Sequence, residues 1–214
     1  MPPEFGRYKI LSEIGRGGMG IVYQAYDPDE NRLVAIKRLV MENISPEKMR
    51  EFRDRFKREA VTVKRLSHPN IVEVFDVEVE GDNYFYVMEF LEGHSLKSEL
   101  ETRREPMTPK EFWPYLSQVA EALDFAHTMN VVHRDVKPAN ILLNAGTHTV
   151  ESRTVEAKGG TSENASARNP GSAIPSPKIT DFGLAKRLDS VHNPSSTGAI
   201  LGTPSYMAPE QAEG

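Results

Sequence analysis

From Tyr8 to Leu39 apolar and polar positions alternate in short runs broken by turn residues. Ile21-Val22-Tyr23-Gln24-Ala25-Tyr26 leads into Asp27-Pro28-Asp29-Glu30-Asn31, and Leu33-Val34-Ala35-Ile36-Lys37 follows, a pattern that predicts a β-hairpin. Ser45-Pro46 reads as an N-cap with proline at the first helical position. Met49, Phe52, Phe56, Val63 and Leu66 then recur on one helical face, which predicts a helix of about twenty residues. Beyond Ser67-His68-Pro69-Asn70 two more strands are expected, Ile71 to Val79 and Asn83 to Phe90, joined by a turn at Gly81-Asp82. The first part of the chain is therefore expected to be a mostly antiparallel sheet with one long helix.

A second helix is announced by Thr108-Pro109-Lys110-Glu111, a capping-box arrangement, and by the apolar stripe Phe112, Leu116, Val119, Leu123 and Ala126. Pro114 removes a backbone donor early in this stretch, so a kink or a later helix start is expected. From Ala145 to Pro177 the chain turns to Gly, Ser, Thr, Asn and Pro with no aromatic residue and no periodicity. That composition predicts a long flexible insertion. No internal repeat is present.

Composition narrows the function classes. With 38% hydrophobic and 27% charged residues among 214, the chain can bury a real core. The net charge of -5 offers no basic footprint for nucleic acid or an anionic membrane surface, so neither is expected as a partner. The absence of cysteine removes disulfides, thiolate zinc sites and thiol nucleophiles, and is compatible with a reducing, cytoplasmic setting. Neither a basic-then-apolar start nor a run of about eighteen apolar residues occurs, so the sequence as given reads as neither secreted nor membrane-spanning.

Gly15-Arg16-Gly17-Gly18-Met19-Gly20 satisfies G-x-G-x-x-G, a spacing shared by two nucleotide-binding folds. In a dinucleotide-binding domain these glycines open a helix, whereas here they enter Ile21-Val22-Tyr23, which has strand character. A glycine loop between two strands forms a flap whose backbone amides can approach phosphate oxygens; a plain flexible hairpin turn is the alternative. No G-x-x-x-x-G-K-[ST] loop is present. Lys37 sits inside an apolar strand on the pleat face of Leu33, Ala35 and Leu39, where an ammonium needs an anion unless it snorkels from an edge. Glu59, between Phe56 and Val63 on the inward helical stripe, is the candidate partner, or else a solvent-facing boundary residue.

Taken in order, Gly15 to Val22, Val34-Ala35-Ile36-Lys37, His133-Arg134-Asp135-Val136-Lys137-Pro138-Ala139-Asn140, Asp181-Phe182-Gly183 and Ala208-Pro209-Glu210 resemble the signature set of protein kinases. The lysine at Lys137 and the run Gly202-Thr203-Pro204 resemble the serine/threonine branch, and Gly18-Met19-Gly20 with Gln211 its bacterial members. The resemblance implies an α+β, two-lobed protein-kinase-like fold: an antiparallel-sheet N-lobe over 8–91 with one long helix, and a mostly helical C-lobe over 92–214 carrying the insertion 145–177. It implies ATP and Mg²⁺ as cofactors and a protein substrate. By the same resemblance Lys37, paired with Glu59, contacts the α- and β-phosphates, Asp135 deprotonates the acceptor hydroxyl, Lys137 faces the γ-phosphate, and Asn140 and Asp181 hold magnesium. Ile14, Gly15, Gly17, Gly18 and Gly20 would lie over the nucleotide, Val22, Ala35 and Leu142 would sandwich the adenine, and Met88, Glu89 and Leu91 would form the hinge. His133 is expected to pack against Phe182 rather than act as a base.

Arg134 beside Asp135 suggests control by activation-loop phosphorylation, with Ser195 and Thr197 as the best acceptors and a kinase–kinase dimer as the means of autophosphorylation. Two departures stand out. The insertion separates Asn140 from Asp181 by far more than the family's usual dozen or so residues, which slowly growing loop-closure entropy tolerates. The sequence stops at Gly214, so the C-lobe is expected to be incomplete, with an apolar surface around Leu116, Val119 and Leu123. A catalytically impaired kinase serving as a nucleotide-binding or interaction module is the alternative function.

Overall fold

The alternation along the first strands becomes a five-stranded antiparallel sheet in the order β1-β2-β3-β5-β4. Its strands are β1 (Lys9–Gly17), β2 (Gly20–Asp27), β3 (Arg32–Leu39), β4 (Val74–Glu80) and β5 (Asn83–Glu89), with helix α1 (Pro46–Val63) inserted after β3. These elements come from a computed structural model that describes residues 5–17, 20–40, 45–81, 83–144, 175–182 and 206; within α1 the side chains at 46, 48, 51, 55, 57, 59 and 60 lie outside that description. Both faces of the sheet are covered. On one face Phe52 and Phe56 of α1 pack edge-on against Tyr84, in a cluster with Ala35, Leu39, Tyr86 and Met88. On the other, Phe5 is fully buried against Tyr23 and Phe85 and is pinned by Arg7, whose guanidinium donates to Asp27 at 3.0 Å. Packing of the sheet thus reaches upstream of Tyr8.

β4 begins at Val74 rather than at Ile71. Ile71 instead forms a parallel bridge to Ile179 and is buried in a second core with Leu66, Leu96, Val119, Ala122 and Phe182. That second core belongs to α2 (Leu96–Thr102), α3 (Pro109–Thr128) and a small antiparallel sheet ordered β6 (Gly93–Ser95), β7 (Ile141–Asn144), β8 (Ser176–Ile179). The expectation of a mostly helical second portion overlooked this sheet, whose strands are too short to show a period.

The start of α3 is where the capping box places it. Thr108 Oγ1 accepts from the Glu111 amide at 3.4 Å while Glu111 Oε2 accepts from the Thr108 amide at 2.8 Å. The helix begins at Pro109 and runs through Pro114, so the expected late start does not occur. The cap fixes the first turn, and Pro114 orphans only the carbonyl of exposed Lys110, which water can reach. The stripe divides along the helix: Val119 and Ala126 are buried and Leu123 packs against their core, so the expected apolar surface reduces to Leu116, 41% exposed in an apolar groove with Leu100, Phe112 and the neighbouring Trp113.

The insertion is narrower than its composition suggested. Asn144 pairs with Ser176 and Leu143 with Pro177, so β8 takes in the last residues assigned to the loop, and Pro177 sits where a missing donor is tolerated, on an edge strand. Residues 145–174 lie outside the described residues. Because the paired strand ends close this loop, its length has little leverage on the rest of the fold.

Glu111 connects the helix start to pH. Hydrogen bonds from Thr108 first, then the Arg103 guanidinium at 2.7 Å, hold its carboxyl at about 2, below the ordinary 4.5. The folded state therefore gains from Glu111 above about pH 4.5, and the gain disappears as pH falls toward 2. Glu111→Gln should lower the thermal midpoint at neutral pH, and the difference from the parent chain should shrink on acidification; a pH-independent difference would contradict this account.

Candidate active site

Lys37 points from β3 into the face that α1 covers, opposite Val22 on β2 and Tyr86 on β5 in the strand register. Its side chain is only 7% exposed, and its ammonium lies 2.6 Å from Asp181 Oδ1. Burial alone would pull the Lys37 pKa down, but the hydrogen-bonded Tyr86 oxygen and the Asp181 carboxylate outweigh it and hold the group above its usual value. Lys37 stays charged. The buried Tyr86 hydroxyl, which burial pushes well above the ordinary phenol range, also donates to Asp181 Oδ1 at 3.5 Å. Position 59 lies on the stripe of α1 between buried Phe56 and Val63, but the Glu59 side chain lies outside the described residues.

Asp181 follows β8, and β8 is fastened to the first lobe at three levels. The Val72 amide donates to the Ile179 carbonyl, and the Ile179 amide to the Asn70 carbonyl, both at 2.8 Å. Buried Asn70 donates through Nδ2 to Gln118 Oε1 at 3.0 Å and to the Pro177 carbonyl at 2.8 Å. Lys178, 8% exposed at its side chain, pairs with Glu89 at 2.8 Å, tying the strand before Asp181 to the end of β5. Asp181 itself has φ +67° and Arg134 φ +66°, left-handed conformations that cost side-chain-bearing residues energy unless the surroundings enforce them.

The enforcing contacts include His133, which is 1% exposed. Its Nε2–H donates to the Thr180 carbonyl at 2.8 Å, its Nδ1 accepts the Asp135 amide at 3.2 Å, and its ring lies against Phe182 with centroids 4.7 Å apart. Burial lowers its pKa, so it is a neutral spacer. Asp135 receives the Asn140 amide nitrogen on both its carbonyl (2.8 Å) and Oδ2 (3.0 Å), and Lys137 at 2.9 Å on Oδ2. With that nitrogen committed to Asp135, the Asn140 side-chain oxygen is the atom able to ligate a cation. Asn140 and Asp181 are also close in the backbone, since the Thr180 amide donates to the Asn140 carbonyl at 3.0 Å. Two hard oxygen donors suit Mg²⁺, which usually takes one or two protein ligands and fills its shell with water and phosphate oxygens; no cluster of three or more His, Cys, Asp or Glu able to hold a metal occurs among the described residues.

Above these groups β1 and β2 close as a hairpin, with Gly15 opposite Val22 and Gly17 opposite Gly20. Gly18 lies outside the described residues. A Cβ on Gly17 would meet nothing within 4 Å, leaving open room beside the backbone. Gly20 has φ +149°, and a Cβ there would collide with the Arg38 carbonyl. Val22, Leu91 and Leu142 pack against the cluster holding Ala35 and Met88, so these five apolar residues come from both lobes to one place. Ile14 is 49% exposed on β1. Ser195, Thr197, Gly183 and Ala208-Pro209-Glu210 lie outside the described residues.

A family model described as protein kinase domain matches residues 8–214. The chain belongs to the protein kinase family. It is 38% identical over 209 residues to the serine/threonine-protein kinase PrkC of Bacillus subtilis, covering 98% of this chain and 27% of that protein. It is 36% identical over 211 residues to PknD of Mycobacterium tuberculosis, covering 99% and 27%. The chain thus spans about a quarter of the length of these curated relatives. Among solved structures, the PknI kinase domain of Mycobacterium tuberculosis superposes with a TM-score of 0.63 at 28% identity, over 86% of this chain and 62% of that one. This kinase domain therefore has the two-lobed architecture expected of it, and no helix among its described residues is long and apolar enough to cross a membrane.

Sequence reasoning missed Tyr86, Lys178 and Asn70. Each had a faint signal, a polar atom within or beside a run that otherwise reads as core, but their partners are up to 107 positions distant in the chain. Gly20→Ala should cost about 1–3 kcal/mol through the strained backbone, and more if the Arg38 carbonyl cannot move aside; denaturant unfolding measures it. Gly17→Ala, with open space around it, should cost less than about 1 kcal/mol of stability.

Proposed function

We propose that this chain is the catalytic domain of an ATP- and Mg²⁺-dependent protein serine/threonine kinase, transferring the γ-phosphate of ATP to serine or threonine hydroxyls of protein substrates. The observation that carries the reading is the convergence of Lys37 from β3 and Asp181 from beyond β8 to 2.6 Å, beside the Asp135–Asn140–Lys137 cluster. Phosphoryl transfer asks a protein for charge neutralisation, in-line positioning and a proton acceptor, and for little covalent chemistry.

Each need has a group. Lys37 would exchange Asp181 for the α- and β-phosphates, with Glu59 as its proposed partner on α1. Asn140 and Asp181 would hold Mg²⁺, which when bound neutralises developing charge on phosphate oxygens. Asp135, its carboxylate oriented by Asn140 and Lys137, would accept the hydroxyl proton, while Lys137 faces the transferred phosphoryl group. Gly15, Gly17, Gly18 and Gly20 would let backbone amides near the phosphates, with Ile14, Val22, Ala35 and Leu142 about the adenine and Met88, Glu89 and Leu91 as hinge. A domain that consumes ATP and has no cysteine fits the cytoplasm.

Asp135→Asn should lower kcat by about 10²–10⁴-fold in a radiolabel transfer assay on a basic protein substrate, with ATP affinity changed little. ATP binding by the parent chain without Asp135-dependent transfer would instead support a nucleotide-binding module. Regulation belongs to the same reading: phosphate on Ser195 or Thr197 would offer Arg134 a charge-assisted partner, placed there by a second kinase molecule. Mass spectrometry after incubation with ATP and magnesium should then find phosphate between Asp189 and Thr203, and an unmodified segment in an active preparation would refute it.

A further inference from the structure

The reading above uses Lys37 and Asp181 but leaves the residue between them without a task. Tyr86 stands directly opposite Lys37 in the β3–β5 register, and its ring is buried in the cluster that α1 covers. Tyr86, Thr180 and Asp181 line a cavity of about 10 Å³ whose other walls are Val63, Val72, Val74, Met88 and Phe182. Such a space holds one water at most. A hydroxyl in that position needs protein partners: Asp181 Oδ1 accepts from it at 3.5 Å, and Lys37, opposite it in the register, is electrostatically coupled to it.

We infer that Tyr86 is a positioning residue for nucleotide binding, whose hydroxyl fixes the Lys37 ammonium and the Asp181 carboxylate by one hydrogen bond to each. This rests on the proposed kinase function. The chemistry favours a hydroxyl over any charged or apolar side chain here. A phenol oxygen accepts from the ammonium while its proton goes to the carboxylate, so it joins cation and anion without adding charge to a dry site. An apolar residue would leave Lys37 with one fewer acceptor. A carboxylate would bind Lys37 strongly enough to compete with phosphate. Tyr86 keeps Lys37 aimed into the cleft whether its other partner is Asp181 or a phosphate oxygen.

Tyr86→Phe preserves ring and packing and deletes only the oxygen. The test is a double-mutant cycle with Lys37→Met, read first by thermal unfolding of the nucleotide-free chain and then by the Kd of a non-hydrolysable ATP analogue with magnesium. In the nucleotide-free chain the two substitutions should be non-additive. Tyr86→Phe should weaken analogue binding about fivefold where Lys37 is present and less than about twofold where it is methionine. In transfer assays of the single variant the KM for ATP should rise more than kcat falls. Equal losses in both Lys37 backgrounds, with additive unfolding, would mean that Tyr86 is merely core and would overturn the inference while leaving the kinase reading intact. No analogue binding by the parent chain would overturn both.

Discussion

A buried ammonium sets the terms for this molecule. Lys37 lies on β3, the central strand of the first sheet, with only 7% of its side chain exposed. An unpaired charge there would cost several kcal/mol or lose its proton. The sheet offers the Tyr86 oxygen from the neighbouring strand, a neutral acceptor that is not enough by itself. The carboxylate at Asp181 arrives from the other core, carried on a strand whose pairing partners are β7 and the segment before β4. Among the described residues, satisfying that side chain draws on both cores, so a local electrostatic need becomes a constraint on how they meet.

That constraint would be weak if Asp181 hung from a loose loop. It does not, because the strand before it is locked on several sides: Asn70 ties it to α3 and to the entry of β4, Lys178 ties it to Glu89, and His133 holds the Thr180 carbonyl. Asn70 and Lys178 are buried polar groups, and each is satisfied by partners from another element. Such pairs add little net stability compared with apolar packing, but they penalise wrong arrangements, since breaking one strands its partner in the dark. The left-handed backbone at Asp181 and Arg134 persists inside this frame. The same logic explains why the chain can carry a long segment between Asn144 and Ser176: both ends are pinned in the β7–β8 ladder, on the far side of the locked strand from Asp181.

What could be read from the residues in order was whatever depends on short range. The G-x-G-x-x-G hairpin, the helix after Ser45-Pro46 and the capping box at Thr108 all declare themselves within a few positions, and the ordered motifs carry the membership of the protein kinase family. What could not be read depends on pairing at a distance. Ile71 has the β-branched, apolar character of a strand's first residue, but it stands across a parallel bridge from Ile179, whose amide and carbonyl bond the Asn70 carbonyl and the Val72 amide, and it serves the second core. β6, β7 and β8 span three or four residues each, too few for a period to emerge. Pro114 carries the local signature of a helix breaker, but the cap at Thr108, six residues earlier, fixes the first turn around it. Tyr86 was invisible as a polar residue since its hydroxyl matters only once Lys37 is known to lie opposite.

The cleft's charged groups also have to be able to change partners. Lys37 and Asp181 neutralise each other across 2.6 Å, an arrangement that suits a folded chain. On the proposed function, ligand binding would replace that one strong contact with two others, and the free energy of the broken pair would be subtracted from affinity. A chain selected for stability alone would be better served by apolar residues at both positions. Keeping the pair makes sense only where its separation is useful, because preorganised charges in a dry site act on developing phosphate charge far more strongly than they could in water. In the proposed function, the same burial that makes Lys37 costly to the fold would give it leverage on phosphate, and the contacts around Asn70, His133 and Tyr86 keep that cost from being met by a rearranged site.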